Sequence, residues 1–99
     1  MRNLDNLWQL VAEIPCGRCA SYGELGHALE YPTSGRMVGR WMAQCPPDLP
    51  WWRVVNKQGG LATYKRDPHL GADQRQRLLD EDVPFLQDRV DMGKCEWVP

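Results

Sequence analysis

The chain has 99 residues, 42% of them apolar and five of them Trp, so it can fill one hydrophobic core and not two, and it is too apolar to be disordered. No run approaches the roughly 18 apolar residues of a membrane span, and the MRNLDNLWQL start lacks a signal peptide's hydrophobic stretch, which points to a cytoplasmic protein. The net charge of −1 conceals a division: residues 31–66 carry Arg36, Arg40, Arg53, Lys57, Lys65 and Arg66 against Asp48 alone, whereas residues 67–99 hold twice as many acids as bases. A polyanion would meet the middle of the chain.

Leu4, Leu7, Trp8 and Val11 recur at helical spacing and predict an amphipathic helix over 3–13, ended by Pro15 and Gly17. Ser21-Tyr22-Gly23-Glu24 has the form of a capping box and opens a second helix, expected to reach Glu30. Tyr31-Pro32 stops it, and Thr33 or Ser34 caps a third helix that turns Met37, Val38, Trp41 and Met42 inward. Arg36 and Arg40, four residues apart, share a different face, as on the second helix of a helix-turn-helix. Gly39 is expected to let this helix approach a neighbouring backbone.

The prolines of residues 45–50 exclude regular structure there. Residues 52–55 read as a strand, 56–60 as a turn, and Leu61 onward as a return strand, together a wing. A further helix is expected over 71–82, burying Leu78 and Leu79, followed by short strands or extended chain anchored by Phe85, Val90 and Trp97. The fold class is therefore mostly α with a small β wing, a winged helix-turn-helix spanning 1–99 as one domain. Of the four cysteines, Cys16 and Cys19 have the spacing of half a zinc site, but Cys45, Cys95, His27 and His69 supply no second close pair, so reduced thiols and no metal are expected.

In order, Ile14-Pro15-x-Gly17, Ser21-Tyr22-Gly23-Glu24-Leu25, Gly35-Arg36-x-Val38-Gly39 and Leu49-Pro50-Trp51-Trp52-Arg53-Val54-Val55 form a series that resembles the DNA-binding domain of the O6-alkylguanine-DNA alkyltransferases. The resemblance covers nearly the whole chain, including Gln74-Arg75-Gln76 and the Trp97-Val98-Pro99 ending. That family's last motif reads Pro-Cys-His-Arg-Val, its Cys accepting the alkyl group. Here Trp51 stands in the place of the Cys and Trp52 in that of the His, so nucleophile and proton relay are both missing. The resemblance is then to the alkyltransferase-like proteins, which bind DNA without a catalytic residue or a cofactor.

What the resemblance implies is a protein, by default a monomer, that binds double-stranded DNA containing O6-alkylguanine, flips the base into a pocket and marks it for nucleotide excision repair proteins. Arg36 matches the arginine finger that fills the gap, and Tyr22 the tyrosine that rotates the nucleotide. Trp51, Trp52, Arg53, Tyr64 and Arg66 are the expected lesion pocket, with Arg66 in the Lys65-Arg66-Asp67 segment reaching the base and Tyr64 having a second reading as a cover of the hydrophobic core. Arg40 and Lys57 are phosphate-contact candidates, and Arg53 has a second reading as an internal buttress. Two other functions stay open: a residual alkyltransferase using Cys45 or another thiol, and a winged-helix regulator reading undamaged sequence.

Overall fold

The computed structural model describes residues 2–99. Helix α1 (Arg2–Glu13) lies with Leu7 and Val11 fully buried and Leu4 and Trp8 half-buried. Strand β1 (Ala20–Ser21) follows, and Ser21 at once caps α2 (Tyr22–Ala28), its hydroxyl accepting the Glu24 amide at 3.2 Å. Helix α2 stops two residues short of the expected Glu30, because Leu29 is already extended (ψ 152°). Ser34 rather than Thr33 caps α3 (Gly35–Met42), accepting the Met37 amide at 3.2 Å. Val38 and Met42 are buried under it, while Met37 and Trp41 are half-buried.

The two helices meet at a backbone contact. A Cβ on Gly35 would lie 2.9 Å from the Gly23 amide nitrogen and 3.1 Å from its Cα, so only glycine lets α3 start against the first turn of α2. Gly39, where close approach was expected, has nothing within 4 Å of its would-be Cβ. The helix–helix approach is made one turn earlier, and Gly39 faces open space.

After the proline-rich loop, a 3-10 turn (Trp51–Arg53) leads into β2 (Val54–Val55). Only the last two residues of the expected strand are extended. Strand β2 pairs in parallel with β1, Ala20 opposite Val54 and Ser21 opposite Val55, which sets Tyr22 and Asn56 side by side at its end. The expected return strand is absent. Asn56 Oδ1 accepts the amides of Gln58 and Gly60 at 3.0 and 2.7 Å, closing a tight loop, and the chain passes straight into α4 (Thr63–Arg66). Gly59, at φ +90°, donates to Asn56 and accepts from Val90 at 2.9 Å each, so the loop's partner is the C-terminal hairpin and not its own return.

Helix α5 (Pro68–Asp80) begins three residues before the expected Gly71, with Asp67 as its cap and Pro68 at its first position. Leu78 is buried with Gly71 and Gln74, but Leu79, about 100° further round the helix, is 41% exposed. The end of the chain forms the antiparallel pair β3 (Phe85–Leu86) and β4 (Arg89–Val90), then α6 (Met92–Cys95), and Val90 is buried with Phe85 and Trp97 half-buried.

Two apolar clusters result. One gathers α1, α2, α3, Ala20 and Val54, the other Cys19, Val55, Leu61, Leu78, Val83, Val90 and Cys95. Among the described residues no helix is long and apolar enough to cross a membrane, and no three acids, histidines or cysteines converge as metal ligands. Cys16 is exposed, and Cys19 is buried beside Cys95.

Candidate nucleic-acid interface

Along one side of the molecule runs an open groove of about 640 Å³ between the start of α3, the Asn56 loop and α4. Arg36, Lys57, Lys65 and Arg66 line it, together with Tyr22, Asn56 and the side-chain-free surfaces of Gly23, Gly35 and Gly39. No acid lines it. Four cations beside three glycines suit a polyanion that must come close to backbone. Arg40 is exposed one turn beyond Arg36 and lies outside this lining.

Behind the groove is a second space, a cavity of about 310 Å³. It is walled by the end of α3 (Met42, Ala43), by Cys45 and Pro47, by Trp51 and Val54, and by Thr63, Leu70, Asp73 and Arg77. Tyr22 and Arg66 line both spaces and stand where the two adjoin. Burial raises the Tyr22 hydroxyl's pKa, and the nearby positive charge of Arg66 opposes that rise. Tyr22 is therefore a neutral, hydrogen-bonding phenol at physiological pH.

The 3-10 turn sorts two adjacent tryptophans. Successive residues on such a turn point about 120° apart. Trp51 lines the cavity, while Trp52 packs against the second apolar cluster, the two rings meeting edge to face at 5.9 Å and 88°. Two expected pocket residues are thus displaced. The Trp52 indole N–H donates to Glu81 Oε2 at 2.8 Å, and Arg53 turns away from the cavity to bind the same carboxylate, Nη2 to Oε2 at 2.7 Å and Nε to Oε1 at 3.0 Å. Arg53 also donates to the Ile14 carbonyl at 2.8 Å, which gives it the buttressing role and removes its charge from the DNA-facing set.

Glu81 further accepts the Gly17 amide at 3.1 Å. Burial alone would raise its pKa, but the bonds from Arg53, Trp52 and Gly17 outweigh it and hold the carboxyl down at about 2. Arg53 is pushed up by its hydrogen bonds to Glu81.

Tyr64 is the third displaced residue. Two residues apart on a helix means about 200° around it, so Arg66 and Tyr64 cannot face the same space. The Tyr64 ring lies on Gly71, where a Cβ would come within 2.4 Å of it, and borders a separate hollow with Arg75, Gln87 and Asp88. It fastens α4 to α5.

Several residues of the cavity and its support carried no signal in the sequence. Gln74 is buried and holds the 3-10 turn from behind, its amide donating to the Trp52 and Val54 carbonyls at 3.1 and 2.9 Å while accepting from Thr63 at 2.5 Å. The Gln74-Arg75-Gln76 run had marked this segment without assigning it a task. Asp73 and Arg77 were legible only as an i,i+4 pair. Cys45 does face the cavity, but burial, and then the Asp48 charge, push its thiol up to about 11.

A mostly helical domain that sets an acid-free groove of four cations beside a second, aromatic-walled space is the arrangement of a DNA-binding domain. Residues 4–83 match the model of the 6-O-methylguanine DNA methyltransferase DNA-binding domain, and the chain belongs to that family. It is 36% identical over 101 residues to alkyltransferase-like protein 1 of Schizosaccharomyces pombe, covering 94% of this chain and 92% of that one. It is 30% identical to a DNA base-flipping protein of Vibrio parahaemolyticus, covering 97% and 96%. The structure of S. pombe Atl1 in complex with damaged DNA containing O6-carboxymethylguanine superposes with a TM-score of 0.82 at 31% identity, over 97% of this chain and 94% of that one.

Proposed function

We propose that this chain is a non-enzymatic sensor of O6-alkylguanine in duplex DNA. The observation that carries this reading is that the cavity adjoining the basic groove at Tyr22 and Arg66 is lined by an indole, Trp51, the residue that the motif matches to the family's acceptor thiol. An indole offers an aromatic wall to a base and cannot accept an alkyl group. The other thiol in the cavity, Cys45, is a poor nucleophile at neutral pH because it stays protonated.

The phosphate backbone lies along Arg36, Lys57, Lys65 and Arg66, with Arg40 reaching the flank. Tyr22 guides the rotating nucleotide, Arg36 enters the vacated stack, and the alkylated guanine rests between Trp51 and Arg66. Extrusion costs a few kcal/mol, less for a base whose pairing is already damaged, so cheaper opening contributes to lesion choice. A protein that only held the lesion would hide it, so the monomer passes the complex to nucleotide excision repair proteins in the cytoplasm. Proteins named for base flipping and a structure with damaged DNA among the relatives support this reading.

The test is a titration of wild type and Arg36→Ala against two duplexes that differ by a single O6-methylguanine. The wild type is expected to prefer the lesion, and Arg36→Ala to lose most of that preference. Equal wild-type affinity for both duplexes would refute lesion sensing and favour a helix-turn-helix regulator of undamaged sequence.

A further inference from the structure

The charge of the cavity is set by three side chains. Arg66 and Arg77 are cationic and Asp73 is the one carboxylate lining it, while Cys45 and Tyr22 are neutral at physiological pH. Asp73 is already engaged, its Oδ1 accepting from Arg77 Nε at 3.0 Å. That bond uses only the Nε of Arg77. Among the described residues, its two terminal nitrogens have no hydrogen-bond partner.

The Arg77 guanidinium is also fixed in place by the two indoles. Its Cζ lies 4.8 Å from the centroid of the Trp52 ring and 5.6 Å from that of Trp51, within cation–π range of both. The indole that Glu81 anchors therefore holds a cation at the cavity wall, with four N–H donors unspent. Arg66 differs in lining the groove as well, where phosphate competes for it. Arg77 lines the cavity and not the groove.

We infer that Arg77 is a specificity-determining residue, giving the cavity a preference for O6 substituents that end in a carboxylate over neutral substituents of the same size. This rests on the function proposed above. A neutral alkyl group leaves the free donors of Arg77 to water, whereas a carboxylate accepts them as a charge-assisted, two-pronged pair. The pair is half-exposed, Arg77 at 44% and Asp73 at 48%, so solvent limits the gain to about three- to tenfold in affinity.

The experiment measures Kd at one salt concentration for duplexes carrying guanine, O6-carboxymethylguanine or its neutral isostere O6-carbamoylmethylguanine. Wild type is expected to favour carboxymethyl over carbamoylmethyl by about three- to tenfold. Arg77→Gln should bring that ratio close to one. Asp73→Asn should increase it, because the competing carboxylate is gone, and this variant decides the matter if Arg77→Gln folds poorly. Lys57→Gln removes the same charge from the groove and should weaken binding to all three duplexes while leaving the ratio alone. A wild-type ratio of one, or a ratio that Arg77→Gln and Asp73→Asn both leave unchanged, overturns the inference. Wild-type binding to both lesions no tighter than to guanine would instead refute lesion sensing itself, and the inference with it.

Discussion

Replacing Glu81 by Gln is expected to remove about 3 kcal/mol of stability at pH 7. Glu81 and Arg53 are only 13% and 15% exposed, so solvent screening discounts their coupling little. A carboxyl moved from its ordinary 4.5 to about 2 contributes about 3 kcal/mol when fully ionised. Because its pKa is lowered in the folded state, the contribution is complete above pH 4.5 and disappears as pH falls toward 2. At pH 3 less than half of it should remain. Urea unfolding of wild type and Glu81→Gln at pH 7, 5, 4 and 3 reads this as a gap that closes with acid, and comparing the two proteins cancels every other titrating carboxylate. Glutamine keeps the shape but turns an NH2 toward N–H donors, so the part of the gap that disappears with acid is the part that reports the charge. A gap of the same size at pH 7 and pH 3 would refute the assignment of Glu81 as the ionised centre of the Gly17, Trp52 and Arg53 contacts.

The glycines of α3 give opposite expectations. Gly35→Ala should lower stability by about 2 kcal/mol or more, since its methyl group meets Gly23 backbone at 2.9 Å, whereas Gly39→Ala, with open space, should raise it by up to about 1 kcal/mol through helix propensity; thermal melts of the two variants decide. Cys45, held near pH 11, should be almost unreactive toward iodoacetamide at pH 7.4 and speed up about tenfold per pH unit, and intact-mass spectra after incubation with O6-methylguanine DNA should show no added methyl. A methylated Cys45 would restore the enzyme reading.

What could be read from the sequence was what is decided locally. Ser21 and Ser34 cap the helices they were expected to cap because a cap bonds an amide three residues away, and the α1 stripe buries Leu7 and Val11 because period alone defines its face. The wing failed for the opposite reason. Leu61 onward has the composition of a strand, but the Asn56 loop is held by Val90, some thirty residues later, and no local pattern announces that partner. Trp52 and Arg53 share the motif of Trp51 and were expected in the same pocket, and their turning away depends on Glu81, 28 and more residues downstream. Tyr64 erred by two positions on a helix whose existence was not expected. Tyr22, Trp51 and Arg66 border the cavity.

The short parallel pair of β1 and β2 does more than join two segments. Ala20 and Val54 face one apolar cluster, and their neighbours Cys19 and Val55 face the other, so the same four residues wall both. Neither cluster can lose its packing without exposing that shared wall. The domain should therefore melt as one cooperative unit, with the ladder amides between β1 and β2 exchanging with solvent only when the whole chain unfolds. Their exchange rate is a direct gauge of global stability, and the cavity, bordered by Val54, survives as long as that ladder does.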